Sequence, residues 1–89
     1  MAGSAHFPVA GPMSLRQTFG RNVRLARQER GLTIEALADA AGLSYSYVGE
    51  LERGRRNPTL AVVERLSVAL KSPTHRLLMP PVDNRQIAM

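Results

Sequence analysis

Two runs of arginine carry most of the chemistry this chain of 89 residues can offer: Arg16, Arg21, Arg24, Arg27 and Arg30, then Arg53, Arg55 and Arg56. A guanidinium stays charged at physiological pH, and its planar fork matches phosphate oxygens and the O6/N7 edge of guanine. With 12 Lys and Arg against 7 Asp and Glu, a net charge of +5 and a pI near 11.1, the balance favours a polyanionic partner. Other chemistries lack their residues. There is no cysteine, hence no disulfide framework and no thiolate metal site. His6 and His75 have no acidic partner at a useful spacing, and no glycine-rich phosphate loop is present. The glutamates fall on amphipathic helical patterns as solvated groups. No enzyme activity, metal, cofactor or small-molecule substrate is expected.

Short helices must position the arginines. The stretch from Gly31 to Gly54 holds two helical patterns flanking a break at Gly42. The first places Leu37, Ala38 and Ala41 on one face, and the second places Val48 and Leu51 on one face. Ser44 caps the second pattern, which runs from about Tyr45 to Arg53 and leaves Tyr45, Ser46, Gly49, Glu50 and Arg53 outward, with Tyr47 at the edge. Gly49 weakens a helix, and close approach by a helix or a nucleic-acid backbone would account for it.

Ser14 is the expected N-cap of a first helix reaching about Arg30, with an apolar stripe of Leu15, Phe19, Val23 and Ala26. Arg16, Arg24 and Arg27 lie off that stripe and are expected to be solvated, and Gly31 supplies the left-handed stop. Thr33 caps the second helix without a capping box, because the third residue after it is Ala36. After the loop Gly54-Arg-Arg-Asn-Pro58, Thr59 caps a fourth helix with Leu60, Val63, Leu66 and Leu70 inward. Ser72 and Pro73 read as N-cap and N1 of a short fifth helix holding Leu77 and Leu78, ended by Pro80-Pro81. The expected organisation is a flexible arm over 1–13, one domain over 14–79 and a disordered tail over 80–89. No stretch approaches the roughly 18 apolar residues of a membrane span, and the start lacks a basic segment followed by an apolar run, so a cytoplasmic, nucleoid-associated protein is expected.

Arg24-Leu-Ala-Arg27, Arg30-Gly-Leu-Thr33, Leu37-Ala, Ala41-Gly-Leu-Ser44, Ser46-Tyr-Val48 and Leu51-Glu-Arg-Gly-Arg-Arg-Asn-Pro58, followed by Leu66 and Ala69-Leu70, resemble the helix-turn-helix family of phage Cro and repressor proteins, also called the XRE family. The resemblance runs from about Phe19 to Leu78. It implies an all-α, five-helix, lambda-repressor-like domain whose third helix enters the major groove of double-stranded DNA. Many family members carry glutamine at the position of Ile34, so the phosphate contact of that amide is not expected here.

Carried over position by position, the resemblance implies base contacts from Tyr45, Ser46, Glu50 and Arg56 and phosphate contacts from Arg24, Arg27, Thr33, Tyr47 and Arg55. Glu50 would accept from cytosine N4, unless it forms a surface ion pair with Arg53. Tyr47 suits core packing and phosphate contact equally, and Arg53 suits a structural pair with Glu52 or the helix terminus. The implied protein is a homodimeric transcriptional regulator on a pseudo-palindromic operator, a repressor or an activator, with Val62, Val68, Leu77, Leu78 and Met79 as the expected dimer surface. The alternative is an antitoxin or anti-activator acting mainly through protein contacts, to which exposed Ile34, Leu25 and Val62 would be suited.

Overall fold

A computed structural model describes residues 13–80, and nearly all of the arm and of the tail lie outside them. Five helices follow in order: α1 Leu15–Glu29, α2 Ile34–Ala41, α3 Tyr45–Glu52, α4 Leu60–Leu70 and α5 Thr74–Leu78. No strand occurs among the described residues.

Local chemistry sets each boundary. Ser14, Thr33, Ser44 and Thr59 have extended backbones, and each hydroxyl accepts from the amide three residues on. At α1 the cap is reciprocal, since Gln17 Oε1 also accepts from the Ser14 amide at 2.8 Å. Gly31, Gly42 and Gly54 take φ of 66°, 68° and 75°, where a side chain is strained, and end α1, α2 and α3. The fourth stop was not foreseen: Lys71 adopts φ 52° after α4. Ser72 is not the cap of α5. Pro73 occupies that position without a side-chain hydrogen bond, its ring having no polar atom to offer, and the Ser72 carbonyl just before it accepts from the Ser67 hydroxyl at 2.6 Å.

The inward stripes converge on one core: Phe19 and Val23 from α1, Leu37, Ala38 and Ala41 from α2, Val48 and Leu51 from α3, Val63, Leu66 and Leu70 from α4, and Leu77 from α5. Helix α1 packs on α3, α4 and α5, and α2 packs on α3 and α4. Two residues expected in the stripes are outside. Leu15 is 62% exposed and Leu60 is 83% exposed, each being the first residue of its helix. Leu77, placed on the expected dimer surface, is instead 2% exposed and closes the core from below α1. Val62 and Leu78 are half-buried against that core, which leaves Val68 and Met79 as the exposed members of the set.

Two polar ties hold the helices in register. Asn22 Nδ2 donates to the carbonyls of Leu77 at 2.8 Å and Met79 at 2.6 Å, clasping α5 to α1. Arg30 Nε donates to the Leu70 carbonyl at 2.6 Å, so the last turn of α4 is capped by the end of α1.

Candidate nucleic-acid interface

Helix α3 is set by the two ends of its neighbours. Gly42 turns the chain so that Leu43 N–H reaches the Ala38 carbonyl at 2.9 Å, and Ser44 then opens α3. The inward side chains, Val48 at 0% and Leu51 at 1% exposure, anchor it. A glycine in α1 fixes how close it lies. A β-carbon on Gly20 would stand 2.2 Å from the Leu51 carbonyl oxygen, so the α1/α3 crossing exists only because Gly20 has none. Gly49, expected on the outward face, is buried, yet no neighbouring helix backbone crowds it. A β-carbon there would meet only the Arg53 guanidinium at 3.6 Å, an ordinary contact.

Beneath the C-terminal end of α3, Arg27 is not solvated as expected. Its Nε and Nη2 donate to the two carboxylate oxygens of Glu52 at 2.7 and 3.1 Å, and its Nη1 donates to the Leu32 carbonyl at 2.9 Å. The side chains of Arg27 and Glu52 are 13% and 5% exposed. The hydrogen bond to Glu52 raises the Arg27 pKa above its ordinary value, burial opposes the shift, and the charge of Glu52 adds to it. A raised value means the stabilisation is fully present below the ordinary guanidinium pKa and is lost only at still higher pH. With every type of guanidinium nitrogen engaged, Arg27 is a strut joining α1 to α3 and leaves the set of expected phosphate contacts. Glu52 is thereby taken, and the pair expected between Arg53 and Glu52 does not form; Arg53 sits at the C-cap.

The outward face of α3 presents Tyr45 at 59% exposure, with Ser46 exposed beside it and Glu50 half-buried one turn on. The expected alternative partner of Glu50, Arg53, is not the one it takes. Glu50 Oε1 accepts from Arg56 Nε at 2.8 Å, and the Arg56 guanidinium carbon lies 5.6 Å from the centre of the Tyr47 ring, within cation–π range. Tyr47 also packs against the core. Arg55 and Arg56 are exposed in the loop after α3. Thr33 heads α2 with its hydroxyl occupied by the Ala36 amide at 3.0 Å. Ile34 and Val62 are half-buried against the core, so of the three apolar residues expected on the surface only Leu25, 41% exposed, lies open.

Arg24 has company that periodicity did not reveal. Gln17, Arg21, Arg24, Glu52 and Arg53 line one shallow cleft where α1 meets the end of α3. Among the described residues Arg21, Arg24 and Arg53 form no ion pair. The spacing of Arg21 and Arg24 on α1 shows that they neighbour each other, but only the crossing at Gly20 brings Arg53 to them.

This arrangement is two short helices about a left-handed glycine, the second held by apolar residues and turned outward. A family model described as helix-turn-helix matches residues 23–77. The chain belongs to the helix-turn-helix family of the phage Cro and repressor type. This helix-turn-helix protein is similar to y4dJ of Sinorhizobium fredii, named an uncharacterized HTH-type transcriptional regulator, with 41% identity over 71 residues, 80% of this chain and 91% of that one. Among solved structures it is similar to the restriction-modification controller protein C.AhdI from Aeromonas hydrophila, at 40% identity and a TM-score of 0.68 over 70% of this chain and 94% of that one. It is also similar to SinR of Bacillus subtilis, a master regulator for biofilm formation solved in complex with DNA, at 32% identity and a TM-score of 0.66 over 68% of this chain and 98% of that one. No described helix of this family member is long and apolar enough to cross a membrane.

Proposed function

We propose that this helix-turn-helix protein binds specific double-stranded DNA as a homodimer and represses transcription in the bacterial cytoplasm, with α3 in the major groove of a pseudo-palindromic operator. The observation that carries the reading is the two-sidedness of α3: Val48 and Leu51 are sealed in the core while Tyr45 and Ser46 stand exposed, with Glu50 and Arg56 at the helix end. In this reading Tyr45 and Ser46 meet base edges, Arg55 meets a phosphate, and Arg56 reads a base. Thr33 and Tyr47 lie on the flanks of α3 and serve phosphates. Arg24 does the same on the far flank, joined by Arg21 and Arg53 in the cleft. One recognition helix reads few base pairs, and two-fold pairing doubles the contacts on half-sites about 34 Å, or a multiple of it, apart.

A gel shift with the DNA just upstream of the gene tests the proposal. Binding should weaken steeply as salt rises, because each neutralised phosphate releases counterions, and the double variant Arg55→Ala/Arg56→Ala should abolish it. If the protein retards neither that fragment nor any genomic fragment at low salt, the proposal fails.

A further inference from the structure

The expected role of Glu50 is to accept from a cytosine, yet its carboxylate is already holding Arg56. The chain is folded back to make this possible. After α3, Gly54 at φ 75° reverses the backbone, its amide donating to the Leu51 carbonyl and the Arg55 amide to the Glu50 carbonyl, both at 3.0 Å. The next side chain, Arg56, returns to α3 and meets two groups there: Nε donates to Glu50 Oε1 at 2.8 Å, and the guanidinium carbon stands over the Tyr47 ring at 5.6 Å from its centre. The one hydrogen bond takes the inner edge of the group, at Nε. Nη1 and Nη2 have no partner among the described residues, and the Arg56 side chain is 52% exposed. These two nitrogens are the end-on fork that matches guanine O6 and N7.

We infer that Glu50 is a positioning residue for Arg56: carboxylate and tyrosine ring together aim the free edge of the guanidinium at a guanine, and Glu50 reads no base itself. The inference rests on the DNA-binding reading above. Pairing also removes an objection to a carboxylate at this place, since a bare Glu50 would be repelled by the phosphates of the groove, whereas the pair carries no net charge. The preference for guanine then belongs to the pair and not to either residue. An exposed ion pair contributes little to folding, so variants at Glu50 and Arg56 should melt like the parent protein.

The test is selection of the full chain and its variants on a randomised duplex library, followed by titration of the enriched sites. Glu50→Ala and Arg56→Ala should relax the same G·C pair, each by about tenfold or more, and the double variant should lose no more than Arg56→Ala alone. Glu50→Gln, which still accepts from Nε, should keep a good part of the preference. Arg56→Lys keeps the charge but cannot be held at one nitrogen while presenting two others, so it should lose the guanine preference with the salt dependence unchanged. The inference is overturned if Glu50→Ala changes a base pair that Arg56→Ala leaves alone, or if the two effects multiply independently. It is equally overturned if both variants bind more weakly with the base preference intact. A parent protein that enriches no sequence would instead sink the DNA-binding reading, and this inference with it.

Discussion

Arg27 shows what a charged residue's neighbours decide. Its position off the apolar stripe of α1 is legible from helical period, and so is the outward set Tyr45, Ser46 and Glu50 on α3. Which carboxylate each arginine takes is not, because Arg27 and Glu52 are 25 residues apart and are brought together only by the α1/α3 crossing. The same holds for Glu50, whose partner Arg56 arrives through the turn at Gly54 and not through the three-residue spacing to Arg53. The consequence is measurable. Arg27→Ala strands a nearly buried carboxylate and should cost about 3 kcal/mol or more of stability in a denaturant melt. The double variant Arg27→Met/Glu52→Leu should recover most of that loss, since an apolar pair needs no compensating charge. If Arg27→Ala melted like the parent and only weakened DNA binding, the strut assignment would be wrong.

At the scale of helices, periodicity and capping account for most of the architecture. Four hydroxyl caps and three glycine stops stand where Ser, Thr and Gly stand in the chain. The misplacements share one cause, the ends of packed elements. Leu15 and Leu60 continue their stripes in sequence but stand exposed as the first residues of their helices, and Leu77 comes from a helix too short to show a period. Glycines illustrate the same limit, for Gly49 invites explanation in the sequence while Gly20 passes as an ordinary helical residue. In three dimensions their roles are exchanged. Gly20→Ala should lose about 1–3 kcal/mol, as its methyl group meets backbone that cannot yield. Gly49→Ala should gain up to about 1 kcal/mol from helix propensity, there being room for the methyl group. Paired thermal melts would show opposite shifts in Tm, and a destabilised Gly49→Ala would contradict the ordinary contact with Arg53 that a methyl group would make there.

For the whole molecule, fold class is legible because several short motifs occur in the right order, each asking for a small, branched or left-handed residue at its own place. The outer surface is less so. Apart from Leu15 and Tyr45, each first in its helix, the exposed large apolar groups among the described residues lie in two places: Leu60 and Val68 on one row of α4, and Leu25 with Met79 beside α1 and α5. In the proposed dimer one of them is the pairing surface. Val68→Glu and Met79→Glu, compared with the parent protein by sedimentation, should differ, one remaining dimeric and the other shifting to monomer with loss of tight operator binding. A parent protein that sediments as a monomer on its operator would dismiss the dimer. The clasp of Asn22 on α5 bears on the timing of these events. A five-residue helix without a side-chain cap has almost no tendency to form alone. It is therefore held by docking: Leu77 and Leu78 pack on the core, the Thr74 hydroxyl donates to the Ser67 hydroxyl at 3.2 Å, and the Asn22 amide on α1 donates to its last carbonyls. In native-state hydrogen exchange the α5 amides should open at a lower free energy than those of α1 and α3, and Asn22→Ala should lower it further while the α3 amides keep their protection. The molecule would then have a reading head that stays closed while its last helix breathes.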